Sequence, residues 1–248
     1  MTPNLEQVGE ILSWDTDFFG CRIGRAAPGA LTIERLDAIG AWAHEEEVEC
    51  IYCTVEGGDA QSMRAAEARG LRLVDVRLDY SRPAAPVLPG RADRPTVAVA
   101  RPIDRDALLP LLNEAFRQSR FFMDGGFPRE RCEALYVKWL EESFGGAMGD
   151  VTLIAHRDGA SLGFVTCSCD EETQKGRIGL VGVAASARGM GVGNALVTAA
   201  AAWLQDSGMS DVFVATQAWN VAAQRLYQRC GFTTHSATAW YHWWPSRA

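Results

Sequence analysis

Along the second half of the chain the spacing of apolar residues changes in a fixed order. "TVAVARP", ending at Pro102, reads as a strand, and from Asp104 the period becomes helical, with Leu108, Leu111, Leu112, Ala115 and Phe116 on one face. "SRFFMDGGFP" interrupts it as a loop rich in glycine and aromatics. A second helix is expected over about Arg129 to Phe144, where Cys132, Leu135, Tyr136, Trp139 and Leu140 form a core-facing stripe. "VTLIAH" and "SLGFVTCSC" flank Asp158-Gly159 as a hairpin, and "RIGLVGVA" continues as a third strand. A helix burying Leu196, Val197, Ala200, Trp203 and Leu204 follows, with Gly208 closing it. Then come the strand "VFVAT", a helix from Asn220 to Cys230 closed by Gly231, and the strand-like "FTTHSATAWYHWW". The order is β α α β β β α β α β.

The N-terminal part reads in coarse outline as strand, helix, strand, helix, strand. Between the parts, "RPAAPVLPGRADRPT" (Arg82 to Thr96) carries four prolines and a glycine without periodicity, the composition of a linker. Expected boundaries are 1–85 for the smaller domain, 86–95 for the linker and 96–248 for the larger domain. The second half of the smaller domain also lays without gaps on the C-terminal end of the chain. "CIYCTV" falls on "DVFVAT", Asp59 on Asn220, Ala66 on Tyr227, Gly70 on Gly231 and Tyr80 on Tyr241. Identities are few, but the shared strand–cap–helix–glycine–strand pattern suggests an ancient duplication.

Composition narrows the function. With 48% hydrophobic residues the chain can build a sizeable core, and its net charge of −7 argues against general nucleic-acid binding. No apolar run approaches the ~18–20 residues that span a bilayer. The N-terminus lacks a basic segment followed by an apolar block, so a cytoplasmic protein is expected. Cys50 and Cys53 form C-x-x-C and Cys167 and Cys169 lie close together, but both pairs sit in strand-like runs and read as reduced core thiols. No spacing of Cys and His supports a metal; His235 and His242 alternate with bulky residues and read as wall positions.

The chemistry concentrates in "RGMGVGNAL", Arg188 to Leu196, between a strand and a helix. Bare backbone ahead of a helix is suited to phosphate, because first-turn N–H groups are unpaired and the helix end is partly positive. A P-loop would need Gly-Lys-Ser or Gly-Lys-Thr, which is absent. A dinucleotide fingerprint would need glycine at Asn194 or at Leu196. What fits is Arg-x-x-Gly-x-Gly through Arg188, Gly191 and Gly193, which resembles the acetyl-CoA motif of the GNAT superfamily of acyl-CoA N-acyltransferases. "NVAAQRLYQRCGF", Asn220 to Phe232, resembles a second element of that family, and the order of elements is the family's too. The resemblance covers roughly Thr96 to the C-terminus.

It implies an α/β (α+β in some schemes) GNAT fold: a mixed, mostly antiparallel sheet flanked by helices, here with a truncated GNAT-like N-terminal domain. It implies acetyl-CoA as co-substrate, with no metal. The pyrophosphate would be held by Arg188, Gly189, Met190, Gly191, Val192 and Gly193, and the pantetheine arm by Val181, Gly182 and Val183, with Asn220 and Tyr227 completing the cofactor site. A bulge is expected to splay the "IGLVGV" strand from its neighbour. Tyr227 would be the catalytic acid toward the departing thiolate. The general base is not readable; His156, Glu171 and Glu172 are candidates by residue type alone.

"LSWDTDFFGCRIGR", "QSRFF" and "ATQAWNVAAQRLYQRCGF" further resemble the N-acetyltransferases of nucleotide-linked amino-deoxysugars, over nearly the whole chain. That implies a small-molecule acceptor, the 4-amino group of a dTDP-linked sugar, met by Ser119, Arg120 and Phe121. It implies no nucleic-acid or membrane partner, and is compatible with a homodimer. Trp14, Phe18 and Phe19 in "WDTDFFG" read equally as a packing plug. Another amine (an aminoglycoside, a polyamine, a protein N-terminus or lysine) and a module that binds acyl-CoA without turnover are the competing readings; an intact Tyr227 argues against the last.

Overall fold

A computed structural model describes residues 8–84, 95–146 and 149–245. The first elements are β1 (Gly9–Ile11), α1 (Ser13–Phe19), β2 (Ile23–Ala26), α2 (Ile33–Glu45), β3 (Cys50–Glu56), α3 (Ala60–Ala68) and β4 (Arg72–Pro83). They are followed by β5 (Thr96–Val99), α4 (Arg105–Ala115), α5 (Arg120–Asp124), α6 (Arg129–Phe144), β6 (Val151–Arg157), β7 (Ala160–Asp170) and β8 (Lys175–Val183). The last are α7 (Val192–Asp206), β9 (Asp211–Gln217), α8 (Val221–Arg229) and β10 (Thr233–Trp243). The expected linker lies outside the described residues apart from Pro95. Two compact units form, neither continuous in sequence. One takes Met1–Arg77, Gln118–Cys132 and Ser236–Ala248; the other takes Leu78–Arg117 and Glu133–His235.

In the first unit β1 and β2 pair antiparallel, β2 and β3 parallel, and β3 and β10 antiparallel from Thr238↔Glu56 to Trp243↔Ile51. Strand alternation splits the β3/β10 pair into two faces. Ile51, Cys53 and Val55 join Ala239, Tyr241 and Trp243 in a core with Leu36, Ile39, Trp42 and Ala43 of α2 and Ala65 and Ala66 of α3. Tyr52 and His242 point the other way and stack with ring centroids 4.5 Å apart. Burial pushes the Cys53 thiol up to about 12 and raises Cys50 as well, so both are unreactive core groups. Two features go beyond the sequence outline. β1 and α1 precede the expected elements, and the expected loop after Gln118 contains one helical turn, α5, ended by Gly125 at φ 70°. That conformation favours glycine and stops a helix after a single turn.

In the second unit β5, β6, β7 and β8 pair antiparallel in succession and β8 pairs parallel with β9. Leu196, Val197, Ala200 and Leu204 of α7 pack on Leu153, Ala155, Val165, Val212 and Val214, so the expected stripe faces the core, with Trp203 at its margin.

The suspected internal repeat is visible in the backbone. β3 and β9, then α3 and α8, have identical lengths and are displaced by a constant 161 residues. Asp59 caps α3 through the Ser62 N–H at 3.0 Å, and Asn220 caps α8 through the Ala223 N–H at 3.1 Å. Each helix ends alike: Leu71 N–H donates to Ala66 O, Phe232 N–H donates to Tyr227 O, and Gly70 and Gly231 both adopt positive φ. The parallel pairs β2/β3 and β8/β9 also correspond. The repeat thus spans βαβαβ.

Candidate active site

The second unit's site begins where β8 leaves its neighbour. Pairing with β9 runs from Lys175↔Asp211 to Ile178↔Val214, and Gly179–Val183 continue beyond that register. On the β7 side the register shifts: Val165 faces Val181, but Cys167 faces Ile178. Two β8 residues, Gly179 and Leu180, therefore stand opposite Thr166, the signature of a β-bulge. The Leu180 N–H donates to Thr166 Oγ1 at 2.8 Å, and the Ala184 N–H to Leu162 O at 2.9 Å, both toward β7. Because N–H direction alternates along a strand, Val181 and Val183 aim theirs away from β7, into the splay. Gly182 aims its backbone at β7, and a Cβ there would collide with the Phe164 ring. Its lack of a side chain serves packing.

Beyond the strand, Arg188 follows a single 3-10 turn (Ala185–Ala187), and Gly189 and Gly191 take φ 78° and 81°. A Cβ on either would meet nothing within 4 Å, so the backbone lies bare to open space. Gly191 is the N-cap of α7, and the first helical bond runs from the Ala195 N–H to Gly191 O. The N–H groups of Val192, Gly193 and Asn194 precede it and have no acceptor within the helix. Gly193 has a different reason to be glycine: a Cβ there would sit 3.0 Å from Leu226 Cδ2, so its absence lets α8 close on α7. Asn194 Nδ2 ties the same turn to Cys230 Sγ at 3.2 Å. Met190 is exposed.

Tyr227 is 4% exposed, and its ring lies 5.9 Å from Tyr80 and 6.1 Å from Phe232. Burial raises its phenol above the ordinary value, so the hydroxyl holds its proton throughout the neutral range. Tyr80 Oη in turn reaches Gln224 Oε1 at 3.4 Å, and Gln224 Nε2 donates to Ala218 O at 2.5 Å. This lattice fixes α8 against the loop after β9. Asn220, expected at the cofactor, spends its Oδ1 on the helix cap. The candidate bases are not brought together. Glu171 and Glu172 are exposed in the β7–β8 turn, roughly 20 Å of strand from Val181. His156 pairs with Thr96 on the outer strands of the sheet.

Among its described residues the first unit lacks each of these devices. β2 ends at Ala26, immediately after its parallel pairing with β3, so nothing corresponds to the splayed Gly179–Val183. The loop before α2 is filled by its own side chain: Arg35 donates to the carbonyls of Ala27, Pro28 and Ala30 at 2.5–3.1 Å. A loop whose carbonyls converge on a guanidinium is the electrostatic opposite of an anion cradle. Ala66 stands where Tyr227 stands in the other copy.

The first unit instead carries a polar cluster on Arg120. Its guanidinium carbon lies 4.7 Å from the Tyr52 ring centre, 4.6 Å from Phe121 and 4.2 Å from Trp240. Asp15 accepts from Tyr52 Oη at 3.2 Å, and burial raises its carboxyl above the ordinary value, an effect Arg120 opposes. Asp75 is likewise pushed up, to about 6, by burial, with Arg120 and Arg77 opposing. Ser119 Oγ, Asp75 Oδ1 and Trp240 Nε1 are buried without a hydrogen-bond partner among the described residues. Phe121 is a core residue, 3% exposed, packed on Phe19 at 5.3 Å and Phe127 at 5.8 Å; Phe19 is the plug in "WDTDFFG". Asp124 anchors the end of α5, meeting His242 Nδ1 at 2.8 Å and Trp244 Nε1 at 3.0 Å, with an Arg72 hydrogen bond to its carbonyl. Burial drives the His242 imidazole down to about 4, so the ring is neutral. Asp15, Tyr52, Asp75 and Trp240 were not singled out from sequence, because they come from four separate elements. His235 lies edge-on to Phe213 at 5.4 Å.

The second unit thus carries a splayed strand with a bulge, a glycine-bearing helix start and a buried tyrosine. The chain belongs to the GNAT acetyltransferase family: residues 107–232 match the profile of the Acetyltransferase (GNAT) family. It is an acyl-CoA-dependent N-acetyltransferase. It is similar to dTDP-fucosamine acetyltransferase of Escherichia coli O6:H1, 27% identical over 237 residues, covering 93% of this chain and 96% of that protein. It is also similar to mycothiol acetyltransferase of Streptomyces avermitilis, 27% identical over 224 residues, covering 88% of this chain and 66% of that one. Among solved structures, a GCN5-related N-acetyltransferase from Sphaerobacter thermophilus shares the fold, with a TM-score of 0.66 and 18% identity over 95% of this chain and 75% of that one. Among the described residues no helix is long and apolar enough to cross a membrane.

Proposed function

We propose that the protein transfers the acetyl group of acetyl-CoA to the amine of a dTDP-linked amino-deoxysugar. The observation that carries this reading is the similarity to dTDP-fucosamine acetyltransferase across almost the full length of both chains, N-terminal unit included. On this reading the pyrophosphate lies at Arg188–Gly193, where bare backbone and the helix start favour an anion. The pantetheine arm lies along Val181–Val183, as an added strand would. The amine nitrogen attacks the thioester carbon as the carbonyl π bond opens, and gives up its proton to solvent water. The N–H groups that face the splay are donors for the carbonyl oxygen as it becomes negative. The C–S bond then breaks, and Tyr227 Oη–H donates to the sulfur that takes the charge. A cytoplasmic setting goes with this reading, since nucleotide sugars and reduced thiols share it.

Acceptor recognition is assigned to Ser119 and Arg120, with Phe121 as the packed base beneath them. Asp15 and Asp75 offset the Arg120 charge, so the cluster suits the hydroxyl and amine groups of a sugar better than its diphosphate. The similarity to mycothiol acetyltransferase keeps a second reading open, transfer to the amine of a different small acceptor. A screen of dTDP-amino sugars, aminoglycosides and polyamines with acetyl-CoA separates them. The dTDP-amino sugar should give the highest kcat/KM. Arg120→Ala should raise its KM by roughly 10–100-fold, the loss of one charge-assisted contact of about 1.5–3 kcal/mol, while the acetyl-CoA KM holds. Preference for another amine class, or an Arg120→Ala effect confined to acetyl-CoA, would overturn the assignment.

A further inference from the structure

A bulge leaves one strand with a donor that has no ladder partner, and a strand with a free choice of register tends to slip. In β8 that donor is the Leu180 N–H, and its acceptor is the Thr166 side chain, at 2.8 Å. Thr166 is 3% exposed and Leu180 is half-buried, so the bond is partly shielded from water. Its hydroxyl also occupies the space beside Gly179: a Cβ on that residue would lie 2.6 Å from Thr166 Oγ1. The two positions are therefore complementary, a hydroxyl where the partner strand has one residue too few, and a glycine where the bulged strand must let it in. On either side regular pairing resumes, at Val165↔Val181 and Cys167↔Ile178. The parallel pairing with β9 stops at Ile178↔Val214, the last residue before the bulge.

We propose that the Thr166 hydroxyl is a positioning group for acyl transfer: it holds the β8 bulge and so sets which backbone N–H groups face the acyl-CoA arm. With Leu180 fixed toward β7, Val181 and Val183 point into the splay. A one-residue slip would reverse this, turning Leu180 and Gly182 into the splay and withdrawing both valine donors. Thr166 itself need not touch acyl-CoA. The inference rests on the placement of the arm along β8.

The test uses three single variants of the full chain. Thr166→Val keeps shape and removes the acceptor, Thr166→Ser keeps the hydroxyl, and Gly191→Val reports on the cofactor placement independently. For Thr166→Val, CoA affinity by calorimetry and the acetyl-CoA KM should both worsen by about tenfold or more, with the acceptor KM unchanged. Thr166→Ser should return both to within roughly twofold of the parent, because the hydroxyl bond is restored. A Thr166→Val protein that melts earlier but binds CoA normally when folded would overturn the positioning role. So would a Thr166→Ser protein as impaired as Thr166→Val, since methyl packing would then be the cause. If Thr166→Val and Gly191→Val both left CoA affinity intact, the placement of the arm would fall, and this inference with it. Normal affinity in Thr166→Val alone overturns only the role of Thr166.

Discussion

Tyr227→Phe should lower kcat by about 10²–10⁴-fold, the usual worth of general-acid assistance, with both KM values little changed. The substitution keeps the ring that packs near Tyr80 and Phe232 and deletes only the hydroxyl. Burial favours the protonated phenol, so the donor is present at every pH where the enzyme works. On the proposed mechanism a bond from Tyr227 to sulfur would strengthen only as the C–S bond breaks, and for that reason its loss would belong to kcat. An acyl donor with a less basic leaving group should shrink the defect. Were Tyr227 a packing residue alone, the variant would melt earlier and turn over almost normally per folded molecule. The measurement is kcat on protein shown by calorimetry to bind CoA.

Gly191→Val should raise the acetyl-CoA KM by roughly 10²-fold or more, the equivalent of losing one or two charge-assisted contacts to phosphate. Two physical causes act together. At φ 81° a β-branched residue is strained, so the turn itself must shift. The space a side chain would enter is empty of protein, and it lies ahead of the unpaired first turn of α7. Gly191→Ala separates these causes, since alanine shares the strain at positive φ and adds far less bulk. Gly193→Ala should act differently. It presses on Leu226 at 3.0 Å and should lower stability before it touches KM. Steady-state kinetics in acetyl-CoA, beside thermal melts of all three, decides between the two glycine roles.

Much of the second unit could be read from sequence, because its signals are local. The α7 stripe, the Asn220 cap, the hairpin at Asp158-Gly159 and the glycine turn ahead of α7 each sit within a few residues, and each formed where expected. The repeat was readable for the same reason, through caps and closing glycines more than through identities. Partnerships across strands were not. Thr166 matters because it stands opposite Gly179 and Leu180, and only the register of β7 against β8 shows that. The lack of a side chain at Gly182 answers to Phe164, a residue on the neighbouring strand, which the local sequence does not reveal. The one-turn helix α5 hid inside an apparent loop because five residues are too few to show a helical period. The Arg120 cluster was half legible: the arginine stood out, while Asp15, Tyr52, Asp75 and Trp240 converge on it only through the fold. The two carboxylates whose charges couple to this arginine lie far from it in sequence, on α1 and β4.

The central claim is that one copy of the repeated βαβαβ holds acyl-CoA and the other does not. Residue-resolved amide exchange with and without CoA tests it most directly. Binding should slow exchange at Val181, Val183 and Gly191 to Asn194, the groups that face the splay and the helix start. The corresponding loop of the first unit, Ala27 to Thr32, is occupied by Arg35 and should exchange at the same rate in both conditions. Protection of Ala27 to Thr32, or none at Val181 and Val183 under saturating CoA, would contradict the account.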